Sequence, residues 1–338
     1  MRDILQKIVG HQHLTELEAH AAMQSIMAGG ATPAQIAGFL VALRMKGETV
    51  EEITGLARAM RAAAVKVEAK SRPLVDTCGT GGDGSHTFNI STAAAFIAAG
   101  AGVKVAKHGN RAASSQCGSA DVLEELGVNI NLAPQQVARC IDEVGIGFLF
   151  ARSFHPAMQH AAPVRSELGV RTVFNLLGPL TNPAGATRQV LGVFDAQWVE
   201  PLAQVLKNLG AERAFVVHGA GGLDEISTLG ATQVAEVGQD GILSYTIAPE
   251  DLGIPRATPN DLRGGTPQQN AEIVLECLDA MPTPRRDIAL LNAAAAIVVA
   301  GLAKDLREGL ERARQSVNSG AARERLEALI ALSHSVDT

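Results

Sequence analysis

Through the first 68 residues, apolar side chains recur at three- and four-residue spacing, as in Ile36, Phe39, Leu40 and Leu43, and predict a wholly helical beginning. Three helix starts carry their own chemistry: Thr15 with Glu18, Thr32-Pro33 with Gln35, and Thr49 with Glu52. In each, the threonine hydroxyl can accept an orphan backbone N–H, and the residue three positions later can answer it.

Near Ser71-Arg72-Pro73 the period shortens. Leu74 to Cys78 reads as a strand, Gly79 to Gly84 as a glycine turn, and Ser91 to Ala99 as a helix. A strand at Val103–Ala106, a loop from Lys107 to Ser119 and a helix from Asp121 to Leu126 follow. Further strands are expected at Phe148–Phe150, Gln189–Val193 and Ala214–Val217. This alternation predicts a mostly parallel central sheet with helices as right-handed crossovers, an α/β fold. Residues 156–183 interrupt the rhythm. His155-Pro156 and Pro163 punctuate a helix, and Asn175 to Pro183 reads as turn and short helix. The expected division is a small all-helical domain over residues 1–70, rejoined by a segment near 156–185, and a larger α/β domain over 71–338.

Composition sharpens this picture at few points. One Trp, one Tyr and nine Phe in 338 residues leave a core of small and branched aliphatics, suited to Ala-rich helices lying on a sheet. The net charge of −6 offers no general attraction to nucleic acid or to an anionic membrane face. The most apolar stretch, Ile288 to Leu302, contains Asn292 and falls short of the ~20 residues a bilayer demands, so it reads as a buried helix. Cys78, Cys117, Cys140 and Cys277 form no metal-ligand spacing; reduced thiols in a cytoplasmic protein are expected.

The chemistry lies in three loops. Gly79 to Gly84 satisfies G-x-G-x-x-G between a strand and a helix. A dinucleotide site would also want an acidic residue at the end of the next strand; here that strand runs into Lys107. No Gly-Lys-Ser/Thr follows either. What remains is a backbone that can approach an oxyanion, facing the N–H groups of a helix start. Asn89, Ile90, Ser91 and Thr92 stand at that start and supply hydroxyl and amide groups suited to phosphate oxygens, a metal, or simple helix capping. The Lys107–Ser115 loop offers a cation and a hydroxyl pair on the adjacent strand, so two phosphate groups are expected rather than one. In the third loop, Gly219 to Ile226, the adjacent Asp224 and Glu225 can turn to one point because glycines precede them; oxygen ligands of this kind suit Mg²⁺.

These residues resemble the anthranilate phosphoribosyltransferases of tryptophan biosynthesis, which join anthranilate to 5-phosphoribosyl 1-diphosphate (PRPP). The matching motifs are GTGGDG at 79–84 with TFNIST at 87–92, KHGNRAASSQCGSADVLEELG at 107–127, HPAM at 155–158, PVRSELGVRT at 163–172, FNLLGPLTNP at 174–183, and HG at 218–219 with GLDEIS at 222–227. GTGGDG alone would reach only the wider group that includes pyrimidine nucleoside phosphorylases. The resemblance implies that Gly79, Gly82, Asp83, Thr87, Asn89, Ile90, Ser91, Thr92, Lys107, Ser115 and Ser119 line the PRPP site. It implies that Ser91, Asp224 and Glu225 hold two Mg²⁺ ions, with Lys107, Asp224 and Glu225 as the catalytic groups. Gly79, Asn110 and Arg165 would contact anthranilate. A homodimer through the helical domain is implied as well.

On this reading, stabilising the departing pyrophosphate is the main catalytic task, and anthranilate's neutral amine attacks without a general base. Arg165 would grip the anthranilate carboxylate; as a surface residue it would instead pair with a neighbouring carboxylate. His108 and His155 have no assigned role. A nucleoside phosphorylase is the nearest enzymatic alternative, and a non-catalytic nucleic-acid-binding relative the alternative from another class.

Overall fold

A computed structural model describes residues 1–112 and 116–335. The chain opens with four helices, α1 (Arg2–Val9), α2 (Glu16–Met27), α3 (Pro33–Lys46) and α4 (Val50–Ala63). All three expected capping boxes form: Thr15, Thr32 and Thr49 each accept from the backbone N–H three residues on, and the acid or amide there answers the threonine N–H. Glu52 goes further. Its side chain is fully buried, pairs with Lys46 at 2.9 Å, and also accepts from Leu14 N, so one capping residue ties together the starts of two helices.

The strands are β1 (Val75–Gly79), β2 (Val105–Gly109), β3 (Ile146–Phe150), β4 (Arg188–Gly192), β5 (Arg213–Gly219), β6 (Thr232–Gly238) and β7 (Gly241–Ile247). They form one sheet in the order β3-β2-β1-β4-β5-β6-β7. The first five are parallel; β6 and β7 run antiparallel at one edge. The chain winds outward from β1 in one direction through β2 and β3, and in the other through β4 and β5. The switch point therefore lies between β1 and β4, where the loops leaving the two strands diverge and open a crevice.

Alternate strand residues face two cores. Val190, Phe215, Val217 and Val234 join α5 (Ile90–Gly100), α13 (Pro284–Val299) and the C-terminal helices on one face. Leu191, Ala214, Val216 and Ala235 join α11 (Val199–Asn208) and the N-terminal helices on the other. The second core also takes in Ala161, Val164, Val173, Phe174 and Leu177, from the broken segment that carries α9 (Ala162–Leu168) and α10 (Phe174–Leu177).

Two expectations need correction. The strand expected to end at Ala106 continues to Gly109, because Lys107 is buried with its ammonium satisfied by a main-chain carbonyl, so polarity did not mark a loop there. The hairpin β6–β7 was not anticipated. β7 is a half-exposed edge strand whose residues do not alternate cleanly between apolar and polar. Among the described residues, no helix is long and apolar enough to cross a membrane, and the apolar Ala-rich stretch is indeed the buried α13.

Candidate active site

The loops from β1 and β4 meet the Asp224–Glu225 loop at the switch point. Gly79 and Gly192 are register partners across β1 and β4. Their lack of side chains is what lets the third loop lie on them: a Cβ on Gly79 would collide with the Asp224 carboxylate, and one on Gly192 with the Asp224 carbonyl. Gly81 and Gly82, both at φ +67°, then turn the chain through the left-handed region.

The Asp-Glu pair is held from two sides. Gly219 and Leu223 bond to each other's main chain, closing a small turn before Asp224. After Glu225, buried Asn292 of α13 accepts from Ile226 N and donates to Ile226 O, both at 2.9 Å. The two carboxylates thereby reach different amides. Asp224 Oδ2 accepts from Gly81 N at 2.7 Å, in the glycine loop, and Glu225 Oε1 accepts from Ser91 N at 3.1 Å, in the first turn of α5. Both residues are half-buried, and loss of solvent around the carboxylates raises both pKa values. The Asp83 charge adds to the effect on Asp224, and the Asp224 charge to that on Glu225.

Lys107 supplies the positive charge. Its Nζ donates to Thr77 O at 2.6 Å and to Ser91 Oγ at 3.2 Å. Burial lowers its pKa, while the negative charges of Asp76 and Glu225 oppose that shift. Asp76 accepts from His108 N and from Asn182 Nδ2, and burial pushes its carboxyl up to about 6.

The capping alternative for the α5 start is not realised: none of the side chains there caps the helix. Asn89 instead donates to Cys117 O at 3.3 Å and accepts from Asn270 Nδ2 at 2.9 Å, Asn270 belonging to α12 (Pro267–Leu278). Asp83 accepts from Ser85, whose hydroxyl lies 3.3 Å from that of Thr87. Thr87 pairs with Arg263 in an isolated antiparallel bridge; across the same seam Phe88 N donates to Leu262 O and Gly264 N to His86 O. Ile90 and Thr92 are buried, and among the described residues the Thr92 hydroxyl has no hydrogen-bond partner.

Not every expected residue joins this cluster. Asn110 and Ser119 make their own, with Ser119 Oγ donating to Asn110 O at 3.3 Å. Arg165, on α9, bonds to neither group. Its half-buried guanidinium lies 5.0 Å over the Phe174 ring, and among the described residues no carboxylate pairs with it, so the surface ion pair considered for it is not formed. Ser115 lies outside the described residues. His108 and His155 are buried, with ring centroids 5.1 Å apart, and among the described residues each Nε2 lacks a partner.

Among the described residues, no three His, Cys, Asp or Glu side chains already surround one point. A fully protein-built metal cage is therefore absent from them. The donors are nevertheless hard oxygens that repel one another in a buried setting, which fits a cation sharing its shell with water and substrate phosphate. Sequence reasoning missed Asn270 and Arg263, which carry no local signal, and gave no role to Asn182, which lies inside a quoted motif. Asn292 did carry one, as a lone amide in an apolar helix.

The molecule matches two family descriptions along most of its length: "glycosyl transferase family, helical bundle domain" over residues 2–64 and "glycosyl transferase family, a/b domain" over residues 71–323. An anthranilate phosphoribosyltransferase of Symbiobacterium thermophilum is 57% identical over 335 residues, covering 99% of this chain and 98% of that protein. The crystal structure of the Thermus thermophilus anthranilate phosphoribosyltransferase superposes with a TM-score of 0.94 at 50% identity, over 98% of this chain and 100% of that one. The Saccharomyces cerevisiae enzyme in complex with PRPP and Mg superposes at 0.91 with 28% identity, over 99% of this chain and 98% of that one. A helical bundle beside a switch-point site on a mostly parallel sheet, with identity sustained along nearly the whole length, places the chain in one family: it belongs to the anthranilate phosphoribosyltransferases.

Proposed function

We propose that the cluster of Gly79, Gly82, Ser91, Lys107, Asp224 and Glu225 is where this anthranilate phosphoribosyltransferase moves the phosphoribosyl group of PRPP onto the amine of anthranilate, releasing pyrophosphate. One observation carries the assignment. The two amides that a phosphate-binding loop and a helix start would present, Gly81 N and Ser91 N, are each held by one member of the Asp224–Glu225 pair. Carboxyl oxygens thus accept from the amides that phosphate oxygens would use.

Asp224, Glu225 and Ser91 would hold Mg²⁺, with two ions expected; the yeast relative solved with PRPP and Mg supports magnesium use. When bound, the metal would neutralise charge on the departing pyrophosphate. The chain's own residues do the rest. Gly79, Gly82, Asp83, Thr87, Asn89, Ile90 and Thr92 shape the loop and helix start that receive PRPP, and Lys107 keeps a positive charge beside Ser91 for the leaving group. Gly79, Asn110 and Arg165 form the anthranilate side, where the guanidinium, free of any carboxylate partner among the described residues, meets the substrate carboxylate as a planar fork. The yeast enzyme solved with 4-fluoroanthranilate supports the acceptor. Ser115 and Ser119 complete the PRPP loop.

We read residues 1–70, joined by 156–185, as the helical domain and 71–338 as the α/β domain. A homodimer through the helical domain is supported by the large apolar side chains it leaves exposed, among them Leu17 at 81% and Met45 at 76%.

The test is turnover of PRPP and anthranilate with Mg²⁺, followed by loss of anthranilate fluorescence, in the wild type and in Asp224→Asn/Glu225→Gln. The double variant should fold, as judged by its melting curve, and lose magnesium-supported turnover. Full activity in the folded variant would remove the carboxylates from the site.

A further inference from the structure

Arg171 lies in the extended stretch between α9 and α10, next to Val173 and Phe174, which are anchored in the helical core. Its guanidinium stands 3.9 Å over the ring of Phe194, the second residue after β4. Phe194 is itself tied to the glycine loop, its N–H donating to Thr80 Oγ1 at 3.0 Å. Among the described residues Arg171 makes one long hydrogen bond, Nη2 to Gly81 O at 3.3 Å. Among the described residues no carboxylate pairs with it, although eleven other arginines or lysines in the chain have such partners within reach. A Cβ on Gly82 would collide with Nη2 and lie 3.0 Å from Cζ, so the arginine lies directly against the loop at a position only glycine leaves open.

A half-exposed guanidinium with most of its donors unspent, fixed in plane by an aromatic ring, is arranged to receive a planar pair of anionic oxygens. We propose that Arg171 is a pyrophosphate-binding residue, its guanidinium donating across Gly82 to the diphosphate of PRPP. This rests on the reading that the diphosphate occupies the Gly79–Gly84 loop. It adds to that reading a second cation, from the segment anchored in the helical core. Lys107 is buried and committed to Thr77 O and Ser91 Oγ, whereas Arg171 reaches the loop from the other component of the fold.

Isothermal titration with inorganic pyrophosphate and Mg²⁺, alongside KM values for both substrates, tests the assignment on wild type, Arg171→Gln and Arg171→Lys. Glutamine keeps reach and polarity but removes the charge. It should weaken pyrophosphate binding and raise the KM for PRPP by about tenfold or more, the usual scale for losing a charged hydrogen bond, while the anthranilate KM stays within about twofold. Lysine should recover part of the loss. Pyrophosphate affinity unchanged in Arg171→Gln would overturn the proposal. Parallel loss of both substrates together with a lowered melting temperature would overturn it too, leaving Arg171 as a strap between segments. Failure of the wild type itself to bind pyrophosphate would instead sink the placement of the diphosphate, and this residue's role with it.

Discussion

Replacing Gly192 by alanine changes no group assigned to binding or chemistry, yet it should disable the site. Gly192 is the last residue of β4, paired with Gly79 of β1, and the main chain of Asp224 lies on it. The added Cβ would overlap the Asp224 carbonyl and stand 3.0 Å from its Cα. To restore an ordinary separation of ~3.5 Å, the Asp224 main chain must retreat by on the order of 1–2 Å. The strand cannot yield in its place, because Gly192 O accepts from Thr80 N and its neighbours are paired on both sides. A misplacement of about 1 Å at a catalytic group costs about a hundredfold in rate, so kcat/KM should fall at least that far. The apparent Mg²⁺ requirement should rise in parallel. Overpacking of this kind costs about 1–3 kcal/mol of stability, too little to unfold a domain of this size. The assay is anthranilate fluorescence at several Mg²⁺ concentrations, with a urea melt to establish folding. Gly238→Ala, where nothing lies within 4 Å, is the control expected to change neither. A folded Gly192→Ala with kcat/KM within about threefold of wild type and the same Mg²⁺ dependence would refute the claim that this glycine seats the carboxylate loop.

Arg165→Ala should cost about 1.5–3 kcal/mol in anthranilate use, roughly ten- to a hundredfold, and change PRPP use far less. Equal losses in both KM values would refute a grip on the anthranilate carboxylate. His155 is pushed down to about 4 by burial, with the Lys66 charge adding to it. Its unfolded value is near 6.5, so the unfolded chain binds the proton first as pH falls. The neutral ring's contribution is complete above pH 6.5 and is lost between 6.5 and about 4, by up to ~3 kcal/mol over that interval. Asp76, raised to about 6, works in the opposite direction over much of the same range, so the measurable quantity is a difference between proteins. Urea melts of wild type and His155→Gln at pH 7 and pH 4.5 should show the wild type losing ground; a constant gap would refute it.

What the sequence made legible was whatever local spacing encodes. Three capping boxes were readable because hydroxyl and acid or amide sit three residues apart and need no tertiary partner. The glycine turn after β1 was readable because a run of glycines between a strand and a helix marks a sharp turn, and Gly81, Gly82 and Gly84 do take positive φ. Lys107 was misplaced because a lysine normally marks solvent, whereas here Thr77 O and the opposed charges of Asp76 and Glu225 make burial tolerable. The strap at Leu262–Gly264 and the Asn270–Asn89 bond join residues about 180 positions apart, and no window along one chain registers that. Arg171 lay inside the same quoted motif as Arg165, and spacing treats the two alike. Only the fold separates them, stacking Arg171 on Phe194 against the glycine loop and Arg165 on Phe174 away from it.

The electrostatics explain why the carboxylate pair should be reserved for a ligand rather than for the fold. A structural ion pair in this chain looks like Glu52 with Lys46: fully buried, bonded to Leu14 N and Thr49 N as well, and with every oxygen engaged. Asp224 and Glu225 are only half-buried, each accepts from one amide, and the charges nearest them include Asp83 and each other. The Lys107 charge opposes the shift of Glu225, and its own pKa is lowered by burial. Left alone, such a cluster favours protonation and costs the folded state stability at neutral pH. A divalent cation with an anionic diphosphate removes that penalty at one stroke: the carboxylates gain their counter-charge, and Gly81 N and Ser91 N become available to phosphate oxygens. The same groups would be poorly matched to a neutral ligand, which would leave the repulsion between Asp83, Asp224 and Glu225 in place. On the proposed reading, a divalent cation shared with a diphosphate is the ligand that would best relieve this imbalance.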